Sequence, residues 1–182
     1  SYVYWLREAA KADKRLNVIC SETRPYLQGA RLTSLCALQA GFKATVITDG
    51  MGGFLMRRGE IDAFVTAADR VCMDGTVCNK VGTYQYALAA DANGVPYYAL
   101  RQSGPDRESR GEDDIDVEMR AGDAILYCGG ERVAPAGVRG LYPSFDITPP
   151  ELVSAIVTDR GVFEPATINT YPDAEPFVSN AI

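Results

Sequence analysis

Apolar strand signals and amphipathic helix signals alternate along this chain at intervals of about 10 to 15 residues. The predicted strands cover residues 16–20, 44–48, 61–66 and 95–100, and the predicted helices cover residues 2–14, 30–39 and 81–93. A turn at residues 49–53 leads into a further short helix that ends at residue 58. Such alternation is typical of βαβ units. It predicts an α/β fold of the Rossmann-like, doubly wound type, with a mostly parallel sheet and helices on both faces. In such a sheet, small molecules bind beyond the carboxyl ends of the strands.

The remaining segments carry weaker periodicity. Residues 67–79 are predicted to form a loop with a turn at Asp74-Gly75, and the acidic residues 101–120 a mobile excursion. We predict a strand at 124–128, a helix from Pro149-Pro150 to residue 157, and a tail over 165–182. A length of 182 residues favours a single domain, 1–182.

The chain contains no histidine. This absence excludes histidine bases, Ser-His and Cys-His nucleophile pairs and most metal sites. Any catalytic chemistry must then use carboxylates, thiols, lysine, arginine or tyrosine. The five cysteines are scattered without CxxC spacing, which indicates reduced thiols. The net charge of −6 argues against a nucleic-acid surface. No apolar run approaches the roughly 20 residues of a membrane helix, so we expect a cytoplasmic protein without nucleic-acid or membrane partners.

The most informative acid is Asp69, which follows the predicted strand at 61–66. Ten residues later come Asn79 and Lys80, beside a glycine and a threonine. A carboxylate, an amide and an ammonium group at one strand edge can form a small-molecule site. The alternative is a structural ion pair between Asp69 and Arg70, and the sequence leaves both open. Cys72 and Cys78 nearby are expected to be small buried side chains.

Two further loops follow predicted strands. The segment from Ser21 to Thr33 places Glu22, Arg24, Gln28 and Arg31 around a predicted helix start, which can bind a phosphate or sugar hydroxyls. The alternative is an Arg-Glu clamp within the loop. Asp49 opens a glycine-rich turn, where it either contacts a ligand or caps the following helix.

Five short motifs follow one another between residues 16 and 165. They are Glu22-Thr23-Arg24-Pro25 with Gln28-Gly29-Ala30-Arg31-Leu32-Thr33, Ile47-Thr48-Asp49-Gly50-Met51, Ala68-Asp69-Arg70-Val71, Asn79-Lys80-Val81-Gly82-Thr83-Tyr84, and Phe145-Asp146-Ile147-Thr148-Pro149. Together they resemble the C-terminal α/β domain of the methylthioribose-1-phosphate isomerase family, which is related to regulatory subunits of translation initiation factor 2B. The resemblance implies an aldose–ketose isomerisation of a 5-substituted ribose 1-phosphate in methionine salvage, without metal or nucleotide cofactor.

The same resemblance implies roles for individual residues. Asp69 corresponds to the proton donor, and Gln28, Asn79 and Lys80 to residues that contact the sugar phosphate. These roles are chemically reasonable, because the 1-phosphate blocks spontaneous ring opening and an acid must protonate the ring oxygen. The matching loops also supply five candidate supporting residues: Glu22, Arg24, Arg31, Asp49 and Arg70. The family further implies a homodimer formed through this domain.

Several departures from the family pattern bear on function. The family's catalytic cysteine belongs to a Cys-Asn motif expected shortly before residue 1, and its N-terminal helical domain is also absent here. We therefore expect this chain to be a C-terminal fragment that is inactive alone. Ala67-Ala68, Gly50 and Tyr142 differ from the usual residues and leave a related sugar phosphate open, whereas Arg70 disfavours a ribose-1,5-bisphosphate isomerase. The alternative function is a non-catalytic, initiation-factor-2B-like regulatory or scaffold subunit that binds sugar phosphates or nucleotides.

Overall fold

The computed structural model describes residues 1–175, so the last part of the predicted tail, residues 176–182, lies outside the described residues. In chain order the elements are α1 (Tyr2–Lys11), β1 (Asn17–Ser21), a π-helical turn (Gly29–Thr33), α2 (Ser34–Gln39), β2 (Lys43–Ile47), α3 (Gly52–Arg57), β3 (Phe64–Ala67), β4 (Arg70–Val71), β5 (Val77–Lys80), α4 (Thr83–Asp91), β6 (Tyr97–Leu100), a 3₁₀ turn (Glu112–Asp114), β7 (Met119–Arg120), α5 (Asp123–Leu126), β8 (Tyr127–Cys128), β9 (Glu131–Arg132), β10 (Tyr142–Pro143), β11 (Phe145–Thr148), a 3₁₀ turn (Pro150–Leu152), β12 (Ala155–Thr158), β13 (Gly161–Phe163) and a 3₁₀ helix (Pro165–Asp173).

Contacts group these elements into two compact units. Among the described residues, the first unit comprises Ser1–Tyr2, Gly53–Asp116 and 145–175, and the second unit comprises Val3–Gly52 and Val117–Ser144. The predicted single domain, 1–182, stays a prediction.

In the second unit, β1 and β2 pair in parallel, with Ser21 opposite Ile47 at their carboxyl ends. The π-helical turn and α2 connect the two strands, and Ala37 of α2 is fully buried. The βαβ unit predicted for this region is confirmed. The strand predicted at 124–128 is wrong over most of its length, because α5 occupies its first part and only β8 is extended. Asp123 in the first turn of α5 favours a helix there, since a carboxylate stabilises a helix N-terminus.

The first unit contains two sheets. A four-stranded sheet has the order β13-β12-β6-β3, in which β3, β6 and β12 are parallel and β13 is an antiparallel edge. A three-stranded antiparallel sheet has the order β11-β5-β4. Helix α4 packs against β3, β6 and β11. The core joins both sheets through fully or almost fully buried side chains: Val71, Val77, Ala87, Tyr97, Ala99 and Ile156.

Two sequence predictions for the first unit are wrong. The predicted loop 67–79 contains strands β4 and β5, whereas residues 72–76 between them are not extended. The predicted Asp74-Gly75 turn is present there, with Asp74 Oδ1 accepting the Thr76 amide at 2.8 Å. The helix predicted after Pro149-Pro150 lasts only from Pro150 to Leu152, and β12 follows it. β-Branched residues of β12 pair with β6 instead, since such residues fit a pleated sheet.

The α/β class is confirmed by this mixture of helices with parallel strands. The doubly wound arrangement stays a prediction.

Candidate active site

Asp69 lies at a corner between the two sheets of the first unit. Strand β3 ends at Ala67, which pairs with Leu100 of β6. The Asp69 amide donates instead to the carbonyl of Cys78 in β5, at 3.0 Å, and β4 begins at the next residue. The Asp69 side chain is exposed. An acid at the carboxyl end of a strand is therefore present and accessible in this unit, as the sequence predicts.

The three-stranded sheet places Asp69 beside Cys78, the residue before Asn79. Arg70 pairs with Cys78 in the ladder, and the Asp69 amide donates to the carbonyl of the same Cys78, so both residues lie opposite it. On the other side of β5, Asn79 pairs with Asp146 of β11. Directly opposed residues of an antiparallel pair share one face of the sheet. Asn79 therefore shares a sheet face with Asp146, and Asp69 lies against the preceding residue of the same strand.

Asn79 and Lys80 are held by contacts at the start of α4. The side-chain amide of Asn79 donates to Thr83 Oγ1 at 3.0 Å, and that hydroxyl donates to the Lys80 carbonyl at 2.7 Å. The Lys80 ammonium lies 4.8 Å from the centre of the Phe145 ring. A cation over an aromatic face is stabilised by the negative potential of the ring. Lys80 is therefore an oriented cation in this region.

Asp146 is a residue of this region to which the sequence analysis assigned no role. Its carboxylate accepts the amides of Gly82 at 2.6 Å and Tyr84 at 3.2 Å, and so caps the N-terminus of α4. Burial raises the pKa of Asp146, and the two amide hydrogen bonds oppose that shift. Its pairing with Asn79 joins segments far apart in the chain, so no local signal could have shown it.

Arg70 fastens the acidic segment to β4. Its Nε lies 3.4 Å from a carboxylate oxygen of Asp106, and its Nη1 donates to Ser109 Oγ at 3.1 Å. The Asp106 amide in turn donates to the Val71 carbonyl at 2.8 Å. The predicted structural pairing of Arg70 is thus with Asp106, and part of the expected excursion at 101–120 packs against β4.

In the second unit, Asp49 organises the loop after β1. Its carboxylate accepts a hydrogen bond from Ser21 Oγ and from the amides of Thr23 and Arg24, both at 2.8 Å. These three donors belong to the segment that the sequence analysis considered for ligand binding. The Asp49 carboxylate holds the loop rather than capping the helix that follows it.

The other predicted residues of the second unit differ in their surroundings. Arg24 Nη2 donates to the carbonyls of Ile125 at 3.2 Å and Tyr127 at 2.9 Å, so this guanidinium braces the start of β8. Glu22 is half-buried. Gln28, just before the π-helical turn, and Arg31 within it are both exposed and can be reached by a solute.

Three cysteines, Cys20, Cys72 and Cys78, are buried. Burial raises the pKa of Cys20 and Cys78, and raises that of Cys72 to about 12. The expectation that Cys72 and Cys78 are buried small side chains is confirmed. Within residues 1–175, no three acidic or cysteine side chains are grouped so that they could hold a metal ion. No helix in that part of the chain is long and apolar enough to cross a membrane.

Comparison with known sequences identifies proteins named methylthioribose-1-phosphate isomerase as relatives. The methylthioribose-1-phosphate isomerase of Thermotoga neapolitana is 47% identical over 161 residues, covering 88% of this chain and 47% of that protein. The protein of the same name from Anaeromyxobacter dehalogenans is 48% identical over 158 residues, covering 86% and 47%. This chain therefore spans about half the length of the curated relatives it matches.

Similar solved structures include an isomerase of that kind and an initiation-factor subunit. The 5-methylthioribose 1-phosphate isomerase of Pyrococcus horikoshii OT3 superposes with a TM-score of 0.85 at 37% identity, covering 92% of this chain and 47% of that one. The translation initiation factor eIF-2B subunit delta of A. fulgidus also gives 0.85, at 35% identity, covering 93% and 50%. The resemblance inferred from the five motifs is confirmed. Because the model of the Initiation factor 2 subunit family (IF-2B) matches residues 3–165, the chain belongs to that family.

Proposed function

We propose that the intact protein containing this chain is an aldose–ketose isomerase that acts in methionine salvage. Its proposed substrate is 5-methylthioribose 1-phosphate or a similar 5-substituted ribose 1-phosphate, and its product the corresponding ribulose 1-phosphate. The similar proteins of Thermotoga and Anaeromyxobacter, both named as isomerases, support this activity. The observation within the chain that carries the proposal is the exposed residue Asp69, whose amide is bonded to the strand that contains Asn79 and Lys80.

The proposed chemistry begins with opening of the sugar ring. The phosphate ester at C1 prevents spontaneous opening, so a positioned acid must protonate the ring oxygen. Asp69 is the proposed donor, because its side chain is exposed while its backbone is fixed at the sheet corner. A second group must then move the hydrogen of C2 to complete the isomerisation. Asp69 alone therefore does not account for the whole reaction.

Binding is assigned to neutral and cationic groups. Asn79 can orient a sugar hydroxyl through its amide, and Lys80 can balance the charge of a phosphate or a developing oxyanion. Gln28 is proposed to bind a further hydroxyl, since it is exposed at the end of its loop. The proposal includes no metal and no nucleotide cofactor.

The supporting residues act mainly by holding loops. Asp49 and Arg24 fix the segment that precedes Gln28 through their contacts with backbone groups. Arg70 fastens the acidic segment to β4. Glu22 and Arg31 are proposed as further supporting residues near Gln28 in the chain, and Arg31 supplies an exposed cation.

The direct test uses the intact protein with 5-methylthioribose 1-phosphate, and NMR detection of the ketose product. Ribose 1-phosphate serves as the comparison substrate that lacks the 5-substituent. Turnover with preference for the 5-substituted sugar supports the proposal. Absence of ketose from both sugars, under conditions where the protein is folded, refutes it.

A second candidate is a non-catalytic subunit that binds sugar phosphates or nucleotides. The eIF-2B subunit delta of A. fulgidus, which fits this chain with the same TM-score as the isomerase structure, favours it. Such a subunit would bind the sugar phosphate in calorimetry without converting it. Binding without turnover therefore selects this candidate over the isomerase.

The proposal extends to assembly and location. We expect a cytoplasmic homodimer, with a Rossmann-like, doubly wound sheet in each subunit. Sedimentation of the intact protein at micromolar concentration tests the assembly. A strictly monomeric species would contradict the homodimer.

A further inference from the structure

The corner that carries Asp69 leaves two backbone carbonyls outside the strand ladders. The Ala68 amide still donates to the Leu100 carbonyl at 3.1 Å, but the Asp69 amide turns to Cys78. The carbonyls of Ala68 and Asp69 instead accept from Nη1 of Arg101, at 3.2 Å and 2.7 Å. One guanidinium nitrogen therefore holds both peptide groups around Asp69.

Arg101 is itself well anchored. It follows the last residue of β6, and its amide donates to the carbonyl of Val157 in β12 at 2.8 Å. Its Nε is buried and finds no acceptor among the described residues. A buried donor without a partner is unfavourable. The guanidinium therefore donates to the carbonyls of Ala68 and Asp69, although its buried Nε has no acceptor among the described residues.

We propose that Arg101 is a positioning residue for Asp69. By holding the carbonyls on both sides of the Asp69 Cα, it fixes the direction in which the carboxyl group leaves the backbone. A general acid must lie within hydrogen-bond reach of the atom it protonates, so this direction governs its efficiency. The proposal rests on the proposed function, in which Asp69 is that acid.

The chain supplies a matched control in Arg160. Its Nη1 donates to three backbone carbonyls of the same unit, those of Tyr171 at 3.2 Å and of Pro172 and Ala174 at 3.0 Å. Arg160 therefore makes the same kind of contact with a different segment. Its replacement reports the general effect of removing such a contact.

The experiment compares Arg101→Met, Arg101→Lys and Arg160→Met in the intact protein, with the sugar phosphate that it isomerises. A misplacement of about 1 Å costs a catalytic group up to about 100-fold, so we expect Arg101→Met to lower kcat about 10- to 100-fold. KM should stay unchanged, because Asn79, Lys80 and Gln28 are untouched. Arg101→Lys, which keeps a cationic donor, should recover part of kcat, and Arg160→Met should leave kcat at the wild-type value.

Amide hydrogen exchange gives a readout that does not depend on activity. Residues 68–70 should exchange faster in Arg101→Met and at the wild-type rate in Arg160→Met, because local opening follows the lost contact. If Arg101→Met does not fold, Arg101→Lys is judged by the same criteria.

The outcomes separate this proposal from the proposed function. Wild-type kcat in Arg101→Met, alongside an inactive Asp69→Asn variant, overturns the positioning role. Normal turnover in Asp69→Asn refutes the acid assignment instead, and exchange then decides the role of Arg101. If the amides of residues 68–70 exchange faster only in the Arg101 variants, the result supports the inference that Arg101 holds the backbone around Asp69. Exchange at the wild-type rate in those variants overturns that inference.

Discussion

Replacing Asp49 by alanine removes the acceptor that holds the loop after β1. The half-buried carboxylate accepts two amides at 2.8 Å, from Thr23 and Arg24, and the hydroxyl of Ser21. With about 1 kcal/mol for each hydrogen bond, the central value for proteins, the loop loses about 3 kcal/mol of local stability. This is large for a single substitution, because most cost about 1 kcal/mol.

Amide hydrogen exchange measures this local stability directly. Because 1.4 kcal/mol corresponds to a factor of ten, the amides of Thr23 and Arg24 should exchange about 150-fold faster in Asp49→Ala. Asp49→Asn keeps one acceptor oxygen of the two and should give an intermediate rate. Exchange at the wild-type rate in Asp49→Ala would refute the inference that this carboxylate holds the loop.

Three further predictions concern burial and close packing. Because burial raises the pKa of Asp146, the folded state binds its proton more tightly than the unfolded state, and this contribution to stability is lost as pH rises above the usual Asp range. The unfolding free energy of Asp146→Asn should therefore increase relative to that of wild type as pH rises from the usual Asp range towards neutrality, whereas parallel pH profiles would contradict the shift. At Gly29 an added Cβ would lie 1.7 Å from the backbone carbonyl oxygen of Ser21, so Gly29→Ala should lower Tm strongly. At Gly50 an added Cβ would have nothing within 4 Å, so Gly50→Ala should leave Tm unchanged. Equal Tm values for the two variants would contradict the close packing at Gly29. A maleimide at neutral pH should label exposed Cys128 in the folded protein. It should label Cys72, which is buried and has a pKa of about 12, only after denaturation. Equal labelling rates of the two cysteines in the folded protein would contradict this.

The parallel elements were predictable because their signals are local. Strands β1 and β2 and helix α2 appear as apolar segments bounded by turn residues, and the structure confirms them. Strand β5 was missed because its partner β11 lies far along the chain, and the two-residue strand β4 pairs only with β5. Strand β12 was missed for the same reason, since its partner β6 overrides the helix start at Pro150. Long-range pairing decides these segments, and a local pattern does not contain it.

The residues of the candidate site also differ in whether a local sequence pattern could reveal them. Asp69 was identifiable because an acid directly follows an apolar strand, and Asn79 because it precedes a glycine-containing helix start. The capping role of Asp146 and the contact of Arg101 with the Asp69 carbonyl join residues more than thirty positions apart. For Asp49 the sequence left a ligand contact and a helix cap open, and the structure gives a third role, in holding the loop.

The central claim is that Asp69 donates a proton during isomerisation, and Asp69→Asn in the intact protein tests it most directly. Asparagine keeps the size and a polar group but has no carboxyl proton to donate. We predict that turnover of 5-methylthioribose 1-phosphate falls to background, while calorimetry still detects sugar-phosphate binding close to that of wild type. Turnover at the wild-type rate would contradict the assignment of Asp69 as the acid.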